Sequence, residues 1–178
     1  MKKRVLYSEA NYAAIVRDRG YFVDKTQYIA ELERVRNPVF LRPRRFGKSM
    51  FCSILRYYYD RNYATDFDEL FGHTWIGHHP TGRQNQHLVL FLNFSTIATG
   101  PTIQDIDLSF RRQCNNTLNN MRRQYAPILD EMPTLDLAAP VADNLSLLIV
   151  YLLQSDVSRI FLIIDEYENF DNQLVTVN

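Results

Sequence analysis

The sequence predicts an α/β fold with a mainly parallel sheet flanked by helices. The apolar runs 88–92 and 160–164 are continuous rather than alternating, which is typical of strands buried on both faces of a parallel sheet. A shorter apolar run, 39–41, precedes them. Amphipathic stretches separate the three runs. The resulting order of strand, helix, strand, helices and strand is that of an α/β domain.

Length and composition predict one domain over residues 1–178. A chain of 178 residues with 46% hydrophobic residues can bury one core. No apolar run approaches the roughly 20 residues that span a bilayer, and the segment after the basic start Met1–Arg4 is too polar for a signal peptide. We therefore expect a cytoplasmic protein without a membrane partner. Cys52 and Cys114 have apolar neighbours, so we expect buried free thiols.

The first elements surround the shortest apolar run. Tyr28–Arg36 is predicted to be a helix, capped by Asp24 or Thr26 and ending before Pro38. Val39–Leu41 is predicted to be a strand. The helix that follows it has apolar residues at helical spacing, namely Met50, Phe51, Ile54, Leu55 and Tyr58. Tyr57, Tyr58 and Tyr59 are interpreted as helix-end packing rather than a platform for stacking bases.

Residues 66–83 are rich in Gly, His and Pro and predict an irregular segment. His73, His78 and His79 raise the question of zinc, but adjacent histidines without a nearby cysteine rarely form a closed site. We therefore predict no metal there. The next element, His87–Phe94, is predicted to be a buried strand.

Two helices and a strand complete the prediction. Thr102 followed by Asp105 predicts a capping box at the start of a long helix with basic residues near its end. Its predicted buried stripe is Ile103, Ile106, Phe110, Cys114, Leu118, Met121 and Tyr125. Asp143 is predicted to cap a further helix, whose apolar residues are Leu145, Leu148, Ile149, Leu152 and Leu153. The run Ile160–Ile164 is the last predicted strand.

Residues 42–49, Arg-Pro-Arg-Arg-Phe-Gly-Lys-Ser, predict a phosphate-binding loop between the 39–41 strand and a helix. Backbone N–H groups of such a loop surround phosphates, Lys48 can reach the outer phosphates, and Ser49 can bind magnesium. Position 42 departs from the usual pattern, which has glycine where this chain has Arg42. The alternatives are a surface lysine at position 48 and a helix cap at Ser49.

Asp165 and Glu166 follow the last apolar run directly. In a phosphoryl-transfer site the first carboxylate would hold magnesium, and the second could orient and activate a water. The alternative is that both residues form a solvated strand end. The loop and the two carboxylates, in this order and context, favour nucleotide binding over these alternatives.

The chain resembles the AAA-ATPase-like proteins of bacteria from about Tyr7 to Phe170. The segment Gly20–Thr26 (Gly-Tyr-Phe-Val-Asp-Lys-Thr) is similar to the opening motif of that family. Phe40–Ser49 resembles its Walker A motif, in which Arg-Pro-Arg-Arg-Phe is typical, and Leu162–Tyr167 resembles its Walker B motif. Arg42 in place of glycine is then the variant of the family itself.

The resemblance implies a P-loop NTPase-like fold that binds ATP and Mg²⁺ and hydrolyses ATP in the complete protein. The nucleotide-binding residues it implies are Arg42, Pro43, Arg44, Arg45, Phe46, Gly47, Lys48, Ser49 and Met50. Ser49 and Asp165 would hold magnesium, and Glu166 would be the catalytic residue. An arginine finger could come from a neighbouring subunit, so a homo-oligomer is a possible partner.

The resemblance also concerns the end of the chain. Because the ATPase domain of the family continues where this sequence stops at Asn178, we expect a domain that is incomplete after the Walker B strand. The family often carries a nuclease-like domain of the PD-(D/E)XK type beyond it. We also expect the strand after Walker B to insert between strands 39–41 and 160–164 in the complete domain. Its absence predicts an unfilled slot in the sheet.

Two alternatives remain open from the sequence. Up to Asn62 there are 14 basic and 6 acidic residues, so the first part of the chain could attract nucleic acid, although the 42–48 cations account for much of this excess. No arginine follows Arg159 to serve as a finger. This absence motivates a non-hydrolysing nucleotide-binding or interaction module, or a remnant of a larger protein.

Overall fold

The computed structural model describes residues 3–41, 43, 46–97, 102–155 and 159–167. The chain forms two compact units, Met1–His87 and Leu88–Asn178. The prediction of a single domain was made from length and composition and stays a prediction. No helix in the described ranges is long and apolar enough to cross a membrane.

The first unit is helical in its described residues. Its α-helices are α1 Tyr12–Arg17, α2 Tyr28–Leu32, α3 Lys48–Tyr59, α4 Phe67–Phe71 and α5 Trp75–His78, with a 3₁₀ helix at Arg61–Asp66. The predicted helix Tyr28–Arg36 is thus shorter than expected. The 66–83 segment contains two short helices, and these are too short for an apolar period to reveal them.

An aromatic core holds the first unit together. The ring of Tyr12 lies 5.2 Å from the ring of Phe71, and its hydroxyl donates to the Leu70 carbonyl at 2.6 Å. Tyr58 also packs on Phe71, at a centroid distance of 5.6 Å. All three tyrosines 57–59 are buried, so their interpretation as packing residues is confirmed.

A polar network lies at the end of α3. The carboxylate of Glu33 accepts hydrogen bonds from the Tyr59 hydroxyl at 2.9 Å and from the Thr81 hydroxyl at 2.8 Å. Burial raises the pKa of the Tyr59 hydroxyl above its ordinary value, and the neighbouring Glu33 raises it further. This hydroxyl therefore stays protonated and remains a donor. The network ties the segment after α2 to the segment after α5.

The predicted strand 39–41 does not form. Val39 and Leu41 are 72% and 74% exposed, and the described part of the first unit contains only isolated bridges, at Arg4–Gly20 and Asp60–His87. A strand requires a neighbour to pair with its N–H and C=O groups, and three residues without one remain irregular. The predicted slot beside this strand therefore stays untested.

The second unit is an α/β unit with a two-stranded parallel sheet. Its elements are β1 Leu88–Asn93, a 3₁₀ helix at Phe94–Thr96, α6 Ile103–Tyr125, α7 Val141–Gln154 and β2 Ile160–Asp165. Strands β1 and β2 pair in register from Leu88–Ile160 to Asn93–Asp165. The two predicted strands and their parallel direction are confirmed. One part of the expectation is wrong: Leu162 and Ile164 of β2 are 50% and 42% exposed.

Helices α6 and α7 cover one side of the sheet. The shared core contains Leu88, Leu90, Leu118, Met121, Tyr125, Leu148 and Leu152. The Tyr125 hydroxyl accepts a hydrogen bond from the Val89 N–H at 2.8 Å, which fixes the end of α6 to β1. Burial raises the pKa of the Cys114 thiol in α6 to about 11, so this thiol stays protonated.

The helix starts test the capping predictions. The capping box of Thr102 and Asp105 is confirmed, but Ile103 is 57% exposed and does not belong to the buried stripe. Pro140, not Asp143, occupies the cap position of α7. The link before α7 is held instead by Asn144, whose amide donates to the Asn115 side chain and to the backbone. Ile149 and Leu153 of α7 are exposed as well.

Candidate functional site

Gly47 marks the end of the 42–50 loop and the start of α3. It occupies the helix N-cap position with φ at 79°, and apart from its two chain neighbours no described residue has an atom within 4 Å of the place where a Cβ would be. The left-handed conformation, rather than a lack of space, therefore requires glycine here. The Gly47 carbonyl accepts the first helical hydrogen bond, from the Phe51 N–H at 3.0 Å.

The first turn of α3 carries Lys48, Ser49 and Met50, all half-buried. Glycine at the cap has no side chain to satisfy the N–H groups of this turn, and no acidic residue lies in the turn. The positive end of the helix dipole is thus not neutralised by a side chain of its own first turn. A helix start of this kind suits an anion.

The other predicted loop residues are only partly covered by the structure. Pro43 is exposed, and Phe46 is 61% exposed. The predictions for Arg42, Arg44 and Arg45 lie outside the described residues.

A small open pocket adjoins the loop. Its lining consists of Lys25, Tyr28, Phe40, Phe46, Gly47 and Phe51. Lys25 belongs to the 20–26 segment, so this segment reaches the loop. Reasoning from the sequence did not assign a role to Lys25, although its place in the Gly20–Thr26 motif was a signal.

Hydrogen bonds hold the 20–26 segment on both sides of Lys25. Asp24 Oδ1 accepts from the N–H and the hydroxyl of Thr26, at 2.9 and 2.7 Å. Asp24 Oδ2 accepts from the Trp75 N–H at 2.7 Å, and the fully buried Thr26 hydroxyl accepts from the Ile76 N–H. Both side chains thus bind the start of α5. The prediction that one of them caps α2 is wrong.

These contacts set the ionisation of Asp24. Partial burial alone would raise the pKa of its carboxyl, but the hydrogen bonds from Thr26 and Trp75 outweigh it, and the pKa lies below its ordinary value. The carboxylate is therefore charged at neutral pH.

Asp165 is the last residue of β2 and is 3% exposed. Its Oδ1 accepts from the Glu166 N–H at 3.0 Å, while Oδ2 is buried and has no hydrogen-bond partner among the described residues. A buried carboxylate oxygen without a donor is costly unless a ligand or water satisfies it. As a metal ligand, this carboxylate oxygen suits a hard cation such as magnesium.

Glu166 follows with φ at 58°, in the left-handed region that glycine, not glutamate, prefers. The side chain is half-buried, and the hydroxyl of the next residue, Tyr167, is buried without a partner in the described part of the chain. Unusual backbone conformations of this kind concentrate at functional sites.

Asn93 lies opposite Asp165 in the ladder and at the same edge of the sheet. Its side-chain oxygen accepts from the Ser95 N–H at 2.8 Å, which fixes the orientation of the amide. The sequence interpretation passed over this residue, since the register of β1 against β2 could not be derived from either strand alone.

Comparison with known proteins gives one match. The family model described as predicted AAA-ATPase matches residues 7–178. The chain belongs to this AAA-ATPase-like family. No curated protein and no solved structure matches the chain. Membership of the AAA-ATPase-like family is consistent with ATP binding and agrees with the resemblance found in the sequence.

The histidines of the 66–83 segment are His73, His78 and His79. The described residues of this AAA-ATPase-like chain contain no group of three or more His, Cys, Asp or Glu side chains placed to hold a metal ion. His79 instead stacks on Trp75 at a centroid distance of 4.5 Å.

Proposed function

We propose that this chain binds ATP through the 42–50 loop and the first turn of α3. The observation that carries the proposal is Gly47, which has left-handed geometry and stands directly before a 12-residue helix that begins with Lys48 and Ser49. N–H groups at such a helix start bind phosphates, and a lysine there adds a full positive charge. Family membership supports the same ligand.

Magnesium is the proposed metal, held by Ser49 and Asp165. Asp165 Oδ2, which has no hydrogen-bond partner among the described residues, supports this assignment, because a carboxylate oxygen is the ligand type that magnesium prefers. Bound magnesium would neutralise part of the charge of the phosphates.

ATP hydrolysis is the proposed reaction in the complete protein. Glu166 would orient and activate the attacking water, and its half-buried position beside Asp165 supports this role. The 42–50 loop would hold the phosphates during the reaction.

Calorimetric titration with ATP tests the binding proposal. We expect Lys48→Ala to weaken binding by about 10-fold to 100-fold, because hydrogen bonds to charged groups contribute about 1.5–3 kcal/mol. Lys3→Ala, at an exposed lysine outside residues 42–50, is the control and should bind like the parent. Equal affinities for Lys48→Ala and the parent would refute the assignment of Lys48.

The magnesium proposal needs a second titration, with ATP in the presence of a chelator. We expect the parent to bind ATP more tightly with magnesium than without it. Asp165→Asn should lose this gain and keep the metal-free affinity. Binding without any turnover in the complete protein would favour the non-hydrolysing alternative.

A further inference from the structure

We propose that the pocket beside Gly47 receives the nucleobase of the bound nucleotide, with Lys25 donating a hydrogen bond to it. The inference rests on the proposed ATP binding and adds a subsite to it. The pocket residues all belong to the first unit, and four of the six are aromatic.

The aromatic side chains give the pocket its chemistry. Phe40 and Phe51 stack on each other with centroids 5.3 Å apart, so they form a fixed apolar wall. Tyr28 and Phe46 are 49% and 61% exposed, which leaves ring surface for a ligand. Nucleobases bind to aromatic rings by stacking, because both have flat apolar faces.

The position of the pocket allows one molecule to contact both the pocket and the start of α3. Gly47 lines the pocket and is also the cap residue of α3. A nucleotide with its phosphates at the start of α3 therefore carries its base to a surface that begins at the same residue. An aromatic compound without phosphates would contact the pocket alone and not the start of α3.

Lys25 supplies the polar contact. The hydrogen bonds of Asp24 and Thr26 to α5 anchor the backbone on both sides of Lys25, which holds this residue at the pocket. Nucleobases carry ring nitrogen and carbonyl acceptors, and an ammonium group is a donor only.

Titration with two ligands tests the inference on the full chain. Inorganic tripolyphosphate carries the phosphates of ATP without base or sugar. We expect Tyr28→Ala and Lys25→Met each to weaken ATP binding by about 10-fold, from lost stacking or a lost hydrogen bond, and to leave tripolyphosphate affinity unchanged. Lys48→Ala should weaken the binding of both ligands.

Matched controls are available in the same unit. Tyr21→Ala removes a tyrosine that is 67% exposed and does not line the pocket, and Lys3→Met removes an exposed lysine. Both controls should bind both ligands like the parent. Circular dichroism and thermal unfolding of each variant should match the parent, which separates lost contacts from lost folding.

Three outcomes would overturn the inference. Equal losses of ATP and tripolyphosphate in either pocket variant would assign that residue to the phosphates or to the fold. Unchanged ATP affinity in either variant would exclude it from the base site. If Lys48→Ala does not weaken ATP binding, the proposed function itself fails and the pocket loses its ligand. In the first two outcomes the proposed function still stands.

Discussion

Asp24 and Asp165 are two aspartates beside regular elements, and their carboxylates differ in hydrogen bonding and in burial. Asp24 uses both carboxylate oxygens for hydrogen bonds, from Thr26 and from the start of α5. Asp165 is more deeply buried, and one of its oxygens has no partner among the described residues. The better satisfied carboxylate is thus the more exposed one.

This difference separates a structural role from a ligand-binding role. A carboxylate that accepts three hydrogen bonds stabilises the fold and has little capacity left for a cation. A buried carboxylate with one oxygen unsatisfied costs folding free energy, which a bound cation could offset. The comparison predicts that substitution of Asp24 changes stability, whereas substitution of Asp165 changes ligand binding.

Asp165→Asn tests the ligand-binding side of the comparison and has the largest expected effect. ATP hydrolysis should fall by about 100-fold or more, because the proposed magnesium loses a charged ligand. Thermal stability should stay equal or rise, because the variant removes a buried charge. Hydrolysis is measured by phosphate release and stability by calorimetry. A large fall in melting temperature would instead give Asp165 a structural role.

Glu166→Gln should separate binding from turnover. Loss of a general base lowers the rate by about 100-fold or more, while the amide keeps the size of the side chain. ATP affinity should therefore remain at the parent value in calorimetric titration while phosphate release falls. Parallel losses of affinity and rate would mean that Glu166 contacts the ligand rather than the water.

Asp24→Ala tests the structural side of the comparison. We expect the free energy of unfolding to fall by about 2 kcal/mol, since three hydrogen bonds to a charged group are lost and two N–H groups of the fold lose their acceptor. Urea denaturation measures the change. Asp18→Ala is a control, because Asp18 is exposed and its side chain accepts no hydrogen bond from the described residues. A fall below about 0.5 kcal/mol would contradict the anchoring role.

The same carboxylate predicts a pH dependence. The pKa of Asp24 is lower in the folded protein than its unfolded value of about 4, so its contribution is present above about pH 4 and is lost as the pH falls through the lowered pKa. Stability of the parent should therefore decline below about pH 4 more steeply than that of Asp24→Asn. Denaturation midpoints at a series of pH values between about 5 and 2 measure both curves, and identical slopes would contradict the prediction.

Sequence patterns predicted the second unit better than the first. Strands β1 and β2 and the capping box of α6 follow from local signals, namely continuous apolar runs and a Thr–Asp pair at capping distance. Of the candidate site, Gly47 as the residue that starts a helix and Asp165 as a strand end were both predictable in the same way.

The errors arise where distant contacts decide the local structure. Val39–Leu41 lacks a neighbouring strand in the described part of the chain. Asp24 and Thr26 bind α5, about 50 residues further along, instead of capping the adjacent helix. Lys25 and Asn93 were missed because their positions depend on such contacts: on the anchoring of Asp24 in one case, and on the register with Asp165 in the other. Local propensity contains no information about these partners.

Two glycines provide a further test of the distinction between structural and ligand-binding roles. Their substitution has the smallest expected effect. Gly47 and Gly82 have nearly equal φ values, 79° and 81°, and at both positions no described residue other than the chain neighbours has an atom within 4 Å of the place of a Cβ. Alanine at either position should therefore cost about 1 kcal/mol of stability, because the backbone must hold a left-handed conformation that Cβ disfavours.

Gly47→Ala and Gly82→Ala should differ in ATP binding alone. Gly47 caps α3 beside the proposed phosphate site, so strain or a shift of its N–H groups should weaken ATP binding by several-fold, about 1 kcal/mol. Gly82 has no place in that site, and its variant should bind ATP like the parent. Since the two substitutions carry the same backbone strain, a general loss of stability would lower both affinities equally. An equal loss in both variants would therefore show that stability, and not the geometry of the loop, controls binding.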